Sequence, residues 1–280
     1  MQLPHDFHFS QYNLQDYVDC PRRFELRHLR KLEWPAVQSA PVLEQELRME
    51  RGTQFHRLVQ QWAVGIPAEK LAQRIGDPVL RAWWQTFLTE QPLAPFPGKP
   101  RAEVVLTAPF MEYRLLAKLD ILIAEPGKTL TIFDWKTSDR RPRSAVLRAK
   151  VQTRLYPLIV VLAGAHLNQN TDWQPEQVSM HYWFVQHPGE PEEIPYSQVR
   201  CDSDRNYLEG LIEEILWNVE DDSFPMTGDT QKCRFCPYRS FCERGIEAGS
   251  LQELDEVEDA LTIDENILNL DLEQIGEIAF

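Results

Sequence analysis

No stretch of this 280-residue chain comes near the roughly 18 uninterrupted apolar residues that a membrane-spanning helix needs. The opening MQLPHDFHFS lacks the basic-then-apolar order of a secretory signal, so a cytoplasmic location is expected. There is no glycine-rich G-x-x-x-x-G-K-S/T loop either, and with it goes the phosphate cradle of a nucleotide-driven motor. Cysteine is scarce, with five in the whole chain, and a disulfide framework does not suit a cytoplasmic protein. With 43% hydrophobic residues, the length allows one sizeable core with accessory segments, or at most two domains.

Basic residues are missing where acidic ones are densest, in the tail. From Leu251 to Phe280 there are ten acidic side chains and neither Lys nor Arg, so the formal charge of -14 less those ten leaves -4 for the rest. A strongly acidic balance would argue against a polyanionic partner, but this one belongs to the tail. Positive charge gathers in two places. Arg22, Arg23, Arg27, Arg30 and Lys31 stand against Glu25 alone, while Lys136, Arg140, Arg141, Arg143, Arg148, Lys150 and Arg154 stand against Asp134 and Asp139. Of the 29 basic residues 21 are Arg, whose planar fork matches phosphate. Solvated helix faces would explain either cluster taken alone.

The first hundred residues read as helical and end in the proline-rich stretch Gln91 to Pro100. From Ala102 the pattern becomes short runs of Val, Ile, Leu and aromatics: AEVVLTAPF, MEYRLLAKLDILIA and TLTIFDW. The last two flank Glu125-Pro126-Gly127-Lys128, a turn of hairpin length, so three strands of a mixed or antiparallel sheet are expected. A helix is expected from Arg143 to about Leu162, with Pro157 as its candidate kink. VSMHYWFV reads as another strand, and Ser203 as the cap of a last helix reaching Trp217.

Asp134-Trp135-Lys136 closes a strand, where residues i and i+2 share a face, so a carboxylate and an ammonium lie side by side. Such a triplet arises roughly once by chance in a chain this long, and a surface ion pair explains it too. Asp120, expected at the end of the preceding strand, adds weight because the short turn brings it beside Asp134. Two converging carboxylates repel each other unless they hold a hard divalent cation such as Mg or Mn. His56 shares a helical stripe with Gly52, Val59 and Ala63. Small residues there let the helix approach the sheet and present the imidazole, although a lone His on such a face is more often structural. Gln152 and Tyr156, one turn apart, aim an amide and a phenol at the same locus.

Taken in order, G-x-x-x-H (Gly52 to His56), AKLD ending at Asp120, D-W-K-T (Asp134 to Thr137) and Q-x-x-x-Y (Gln152 to Tyr156) resemble the motifs of PD-(D/E)XK nucleases of the RecB-like branch. The resemblance implies an α/β fold with a restriction-endonuclease-like core, a central mixed sheet flanked by helices. It further implies that His56, Asp120, Asp134 and the Trp135 carbonyl bind Mg or Mn, that Lys136 orients or activates the attacking water, and that Gln152 and Tyr156 help position substrate. Glu103, on the first strand, matches a recurrent acidic position. Phosphodiester hydrolysis needs such a set: a water made nucleophilic near neutral pH and a cation facing the phosphate. The alternative is a catalytically silent nuclease-fold module that binds DNA or a partner. The complete His, Asp, Asp, Lys set stands against it.

Four of the cysteines form a pattern, Cys20 and then Cys233-x2-Cys236-x5-Cys242, with Cys201 left over. Four thiolates suit structural zinc or an iron-sulfur cluster, and a zinc-stabilised interaction protein with a chance D-x-K is a third reading. The segments YVDCPRRF and FPMTGDTQKCRFCPYRSFC are similar to the pair that brackets iron-sulfur nucleases, among them CRISPR-associated exonucleases and a subunit of bacterial helicase-nuclease repair complexes. This second resemblance implies a [4Fe-4S] cluster on Cys20, Cys233, Cys236 and Cys242, and an exonuclease acting on single-stranded DNA ends in repair, recombination or CRISPR adaptation. The expected organisation is a helical region over 1–100 carrying Cys20 and His56, a nuclease core over 101–200, a helix and iron-sulfur segment over 201–248, and an acidic tail over 249–280. That tail is expected to be disordered and solubilising, or to dock on a protein partner or compete with DNA for basic residues.

Overall fold

A computed structural model describes residues 3–32 and 40–249, so the acidic tail lies outside the described residues. In chain order these residues form β1 (His8–Ser10), α1 (Gln11–Asp19), α2 (Pro21–Phe24), a π-helical turn over Glu25–Leu29, α3 (Ala40–Ala63), α4 (Ala68–Ala72) and α5 (Pro78–Glu90). Then come β2 (Arg101–Phe110), β3 (Tyr113–Glu125), β4 (Thr129–Lys136), α6 (Ser144–Ala149), α7 (Val151–Ala163), β5 (Val178–Phe184), β6 (Glu192–Pro195), α8 (Gln198–Glu220) and α9 (Thr230–Arg234). No helix of the described residues is long and apolar enough to cross a membrane.

The six strands make one mixed sheet. β2, β3 and β4 form the expected antiparallel meander, and its second turn has Pro126 ahead of Gly127 at φ 79°, with Lys128 N–H on the Glu125 carbonyl at 3.0 Å. That is the geometry in which proline presets one corner and glycine supplies the positive φ of the next. β5 runs parallel to β4, and β6 closes that edge antiparallel to β5.

The long strand β3 organises the rest. β2 pairs with it from Tyr113 to Leu122 and so takes one whole edge. The other edge is shared: β1 lies parallel along Arg114–Leu116, and β4 lies antiparallel along Ile121–Glu125. Between them the sheet forks, and Asp120 sits in the fork. The regular alternation of faces also breaks there. Leu119 and Ile121 are two residues apart yet belong to different cores, as do Val104 and Ala102 on the paired strand. Glu103, between the paired residues Ala102 and Val104, has φ 54°, a left-handed backbone that interrupts the pleat.

Each face of the sheet has its own core. On one side Leu130 and Ile132 of β4 pack with α1, α7 and α8 through residues such as Leu14, Leu158 and Ile212. On the other, Phe133 and Trp135 pack with α3, α4 and α5 through Phe55, Leu71, Trp84 and Phe87. Asp134 and Lys136 share the parity of the first set and therefore face α7.

Four expectations need correction. The first hundred residues are not all helical, because His8–Ser10 pairs with β3 more than a hundred residues away. Asp120 lies inside β3 rather than at its end, since β2 keeps pairing past it after β4 has left. The helix expected from Arg143 to Leu162 breaks at Lys150, where ψ is 143°, and α7 runs through Pro157. The helix that reaches Trp217 begins six residues earlier than a Ser203 cap would place it. Ser197 is extended and accepts the Arg200 N–H, and Ser203 lies inside α8.

Candidate active site

β4 ends with Asp134 and Lys136 on one face, their side chains in an ion pair of 2.6 Å between Nζ and Oδ2. α7 begins directly above. Gln152, in its first turn and 6% exposed, donates its amide to Asp134 Oδ1 and accepts the Lys136 ammonium on Oε1 at 3.2 Å. One amide thus fixes both charged groups. The break at Lys150 is what aims the start of α7 here. Beneath lies Tyr182, in register with Asp134 on β5. Its ring centre is 5.4 Å from the Lys136 ammonium, and its hydroxyl is 3.5 Å from Gln152 Oε1.

From the fork, Asp120 Oδ2 accepts the Trp135 N–H at 3.2 Å and meets His56 Nδ1 at the same distance. His56 arrives because α3 lies close to the end of β4. A Cβ on Gly52 would stand 3.1 Å from the Thr137 hydroxyl, so the glycine expected to allow close approach does so. Glu103, across from Asp120, is ion-paired with Lys118. Three carboxylates from three neighbouring strands therefore stand side by side.

Their protonation is pulled apart. Burial alone would raise Asp120, but His56, Lys136 and the Trp135 N–H hold it below the usual carboxylate range. Asp134 goes the other way: burial and the neighbouring Asp120 charge push it up against the pull of Lys136. Glu103 is raised as well, by burial and despite Lys118. One oxygen of Asp134, Oδ2, is buried without a well-formed hydrogen bond and has only the ion pair with Lys136.

The expected residues therefore assemble with one difference. His56, Asp120, the Trp135 peptide, Asp134, Lys136 and Gln152 meet at the fork. Tyr156, one turn beyond Gln152, is 2% exposed and belongs to the apolar core under the sheet. Sequence reading missed Tyr182 and Lys118. VSMHYWFV reads as a strand, but nothing in it fixes which residue lies beside Asp134.

The donors suit a hard divalent cation: carboxylate oxygens with one unsatisfied, an imidazole and a main-chain peptide. Among the described residues, no three His, Cys, Asp or Glu side chains are grouped closely enough to hold a metal ion; at the fork, His56 faces Asp120 and Lys136 faces Asp134.

The cysteines meet at the far end of α1. Cys20 caps that helix, and Cys20, Cys233, Cys236 and Cys242 line one small cavity of about 20 Å3. All four are free thiols, and Thr227 N–H and the Arg244 guanidinium reach Cys20 and Cys233 sulfur at 3.4 and 3.6 Å. Burial, helped by Cys20 and Cys242, pushes the Cys236 thiol up to about 11, and burial with Cys20 and Cys233 raises Cys242. Thiols that oppose one another's ionisation in this way suit a cationic centre between them. Cys201 is elsewhere, buried on α8 beside Tyr196.

This fold and this site define a nuclease class. The sequence pattern of the PD-(D/E)XK nuclease superfamily matches residues 8–243, and the chain belongs to that superfamily. Among solved structures it is similar to a "Putative exonuclease" from Eubacterium rectale, at 14% identity and a TM-score of 0.51, over 91% of this chain and 98% of the other. It is also similar to SSO0001, at 12% identity and a TM-score of 0.38, over 88% and 90%. No curated protein matches it.

Proposed function

We propose that this chain is a Mg- or Mn-dependent deoxyribonuclease that hydrolyses phosphodiester bonds, acting as an exonuclease on single-stranded ends in repair, recombination or CRISPR adaptation. The observation that carries the reading is the convergence of Asp120, Asp134, Lys136 and His56 at the sheet fork under one bridging glutamine. His56, Asp120, Asp134 and the Trp135 carbonyl would hold the cation, which when bound supplies Lewis-acid stabilisation of the phosphate and a more acidic water.

The chain's own groups do the rest. Lys136 presents an ammonium beside Asp134, able to orient the attacking water and to face charge growing on the phosphate. Gln152 keeps that ammonium and the Asp134 carboxylate in one geometry, and such preorganisation is worth more than the hydrogen bonds themselves. The basic run from Arg140 to Arg154 spans the segment before α6, α6 and the start of α7, with Arg141 and Arg148 paired to Glu192 and Arg154 to Asp204, and would meet the DNA backbone there.

The four cysteines are proposed to hold a [4Fe-4S] cluster in a structural role. What favours a cluster over one zinc ion is the resemblance of YVDCPRRF and FPMTGDTQKCRFCPYRSFC to the segments that bracket iron-sulfur nucleases. Cys20→Ala or Cys236→Ala should yield colourless, poorly soluble protein, and a variant that stays brown, soluble and active would exclude that cysteine as a ligand on which the fold depends. The nuclease reading is tested with end-labelled single-stranded, duplex and flapped DNA and with labelled RNA, in Mg or Mn. Wild type should cleave single-stranded DNA from an end, while Asp134→Ala and Lys136→Ala stay folded and do not. Equal cleavage by all three proteins refutes the site.

A further inference from the structure

α7 carries Gln152, yet its own N-cap does not secure it. The cap residue is Lys150, whose side chain makes no capping bond, and the first four N–H groups of any helix lack partners within it. Val151, the first residue of α7, is 1% exposed, so its N–H cannot turn to bulk water. The partner comes from 136 residues earlier in the chain: Gln15 Oε1 of α1 accepts the Val151 N–H at 3.4 Å. The helix that bears Gln152 is thus capped by another helix.

Gln15 is itself held from the other side. Its amide donates to Asp19 Oδ1 at 3.1 Å. Asp19 is 1% exposed and also takes Lys232 at 2.9 Å and Arg23 at 2.5 Å. Arg23 and Lys232 both line the cysteine cavity, and Cys20 follows Asp19 directly. A continuous polar chain therefore leads from the cysteine cavity through Asp19, Gln15 and the Val151 N–H to the residue next in sequence, Gln152, which grips Asp134 and Lys136. The groups along it are buried or half-buried, where geometry is held rather than averaged.

We infer that Gln15 is a positioning residue for the nuclease site: it caps α7 so that Gln152 meets Asp134 and Lys136, and it refers that placement to the cysteine-bound end of the molecule. Gln15 touches neither carboxylate and no reacting atom, so its effect runs wholly through α7. This role rests on the nuclease reading. It makes the cysteine centre matter to the rate of cleavage as well as to folding. A mispositioned Gln152 costs turnover, because the ammonium and carboxylate lose their shared geometry, while DNA affinity, set by the basic residues, is left alone.

The test compares wild type, Gln15→Leu, Gln15→Glu, Gln152→Ala and the double variant Q15L/Q152A, all as full-length protein with its cysteine centre loaded. Readouts are kcat and KM on end-labelled single-stranded DNA, visible absorption, and amide hydrogen exchange over residues 151–154. Gln15→Leu should lower kcat about tenfold with KM within about twofold, keep the absorption, and raise exchange at the start of α7 about tenfold. Gln15→Glu loses the amide donated to Asp19 and sets two carboxylates together, which should lower stability, but it keeps an oxygen for the Val151 N–H, so kcat and exchange at the start of α7 should stay within about threefold of wild type. In the Gln152→Ala background the Leu substitution should add less than about twofold.

Wild-type kcat and exchange in Q15L overturn the inference. So do equal fold-losses in both backgrounds, since Gln15 would then act by another route, and so does a tenfold loss in Q15E with the Val151 amide still protected. If Q15L fails to fold, Q15E carries the decision in the same terms. A wild type that cleaves none of the substrates overturns the nuclease reading and this role with it. An active wild type with an indifferent Gln15 overturns this role alone.

Discussion

Asp134→Asn separates what the site does for function from what it does for the fold. Burial and the Asp120 charge push the Asp134 carboxyl up even against Lys136, so its ionised form is held at a cost to stability. The amide keeps an oxygen for Gln152, and Lys136 is 15% exposed, so its released ammonium can turn to water. Removing one partner of a fully buried pair is ordinarily destabilising, but here the lost attraction is offset by the lost repulsion from Asp120 and by solvent access to Lys136.

Asp134→Asn should therefore be as stable as wild type or more stable by about 1 kcal/mol, a rise in Tm of roughly 2–4 °C, when both are unfolded in chelator. The pH dependence has a definite sign. A carboxyl raised above its ordinary 3.8 favours the folded state below that value, and the advantage is lost as pH rises through the folded pKa. That decline belongs to wild type and should be missing from the variant. Mg or Mn at a hundredfold excess over Kd should then stabilise wild type by about 2.7 kcal/mol and the variant by much less. Cleavage should fall about a thousandfold. A variant less stable than wild type by about 2 kcal/mol in chelator, or one stabilised equally by the metal, would refute this reasoning.

Three further outcomes are expected. Arg23→Met removes a buried guanidinium 2.8 Å from Asp16 and ion-paired to Asp19; because Arg27 and Lys232 still serve those carboxylates, the loss should be near the lower end for a buried pair, about 3 kcal/mol in urea unfolding. Acid should weaken the same segment in two steps. Burial holds His28 below its ordinary 6.5 despite Asp16, so the unfolded chain takes up a proton first and stability drops as pH falls from there. Burial would raise Asp16, but Arg23, a hydrogen bond from His28 and Arg27 hold it below 3.8, so its contribution is lost only as pH falls through that lowered value. Urea midpoints across pH would show both steps, and His28→Gln should erase the first. Gly52→Ala should be close to wild type, whereas Gly52→Val should press α3 off Thr137, move His56 from Asp120 and lower cleavage about tenfold with circular dichroism unchanged.

Local signals were the legible ones. The meander from Ala102 to Trp135 follows from β-branched runs and a Pro-Gly turn, and the pairing of Asp134 with Lys136 from the two-residue period of a strand. Long-range matters were not legible. Three residues of β1 carry no periodicity, and only the fold assigns them to the shared edge of β3. The choice between Ser197 and Ser203 as a cap, or between Lys150 and Pro157 as a break, is settled by which turn must face the core. Tyr182 and Gln15 acquire their partners through register and helix docking, and neither is encoded in their neighbours in sequence.

α1 is held by the turns that follow it, through Arg23, Arg27 and His28 on Asp16 and Arg23 on Asp19, but its other anchors come from the far end of the chain. The Tyr17 hydroxyl meets Glu214 and Asn218, Asp19 meets Lys232, and the Thr227 N–H meets Cys20, at separations of 197 to 213 residues. At roughly 5–20 residues added per second, the ribosome delivers those partners about 10–40 s after α1 has emerged. Through that interval the first thirty residues, their charges paired with one another and Cys20 a free thiol, lack the anchors that Glu214, Asn218 and Lys232 supply. Docking α1 is thus a late event in synthesis, and the window before it is when a chaperone or an assembly factor would have access to Cys20.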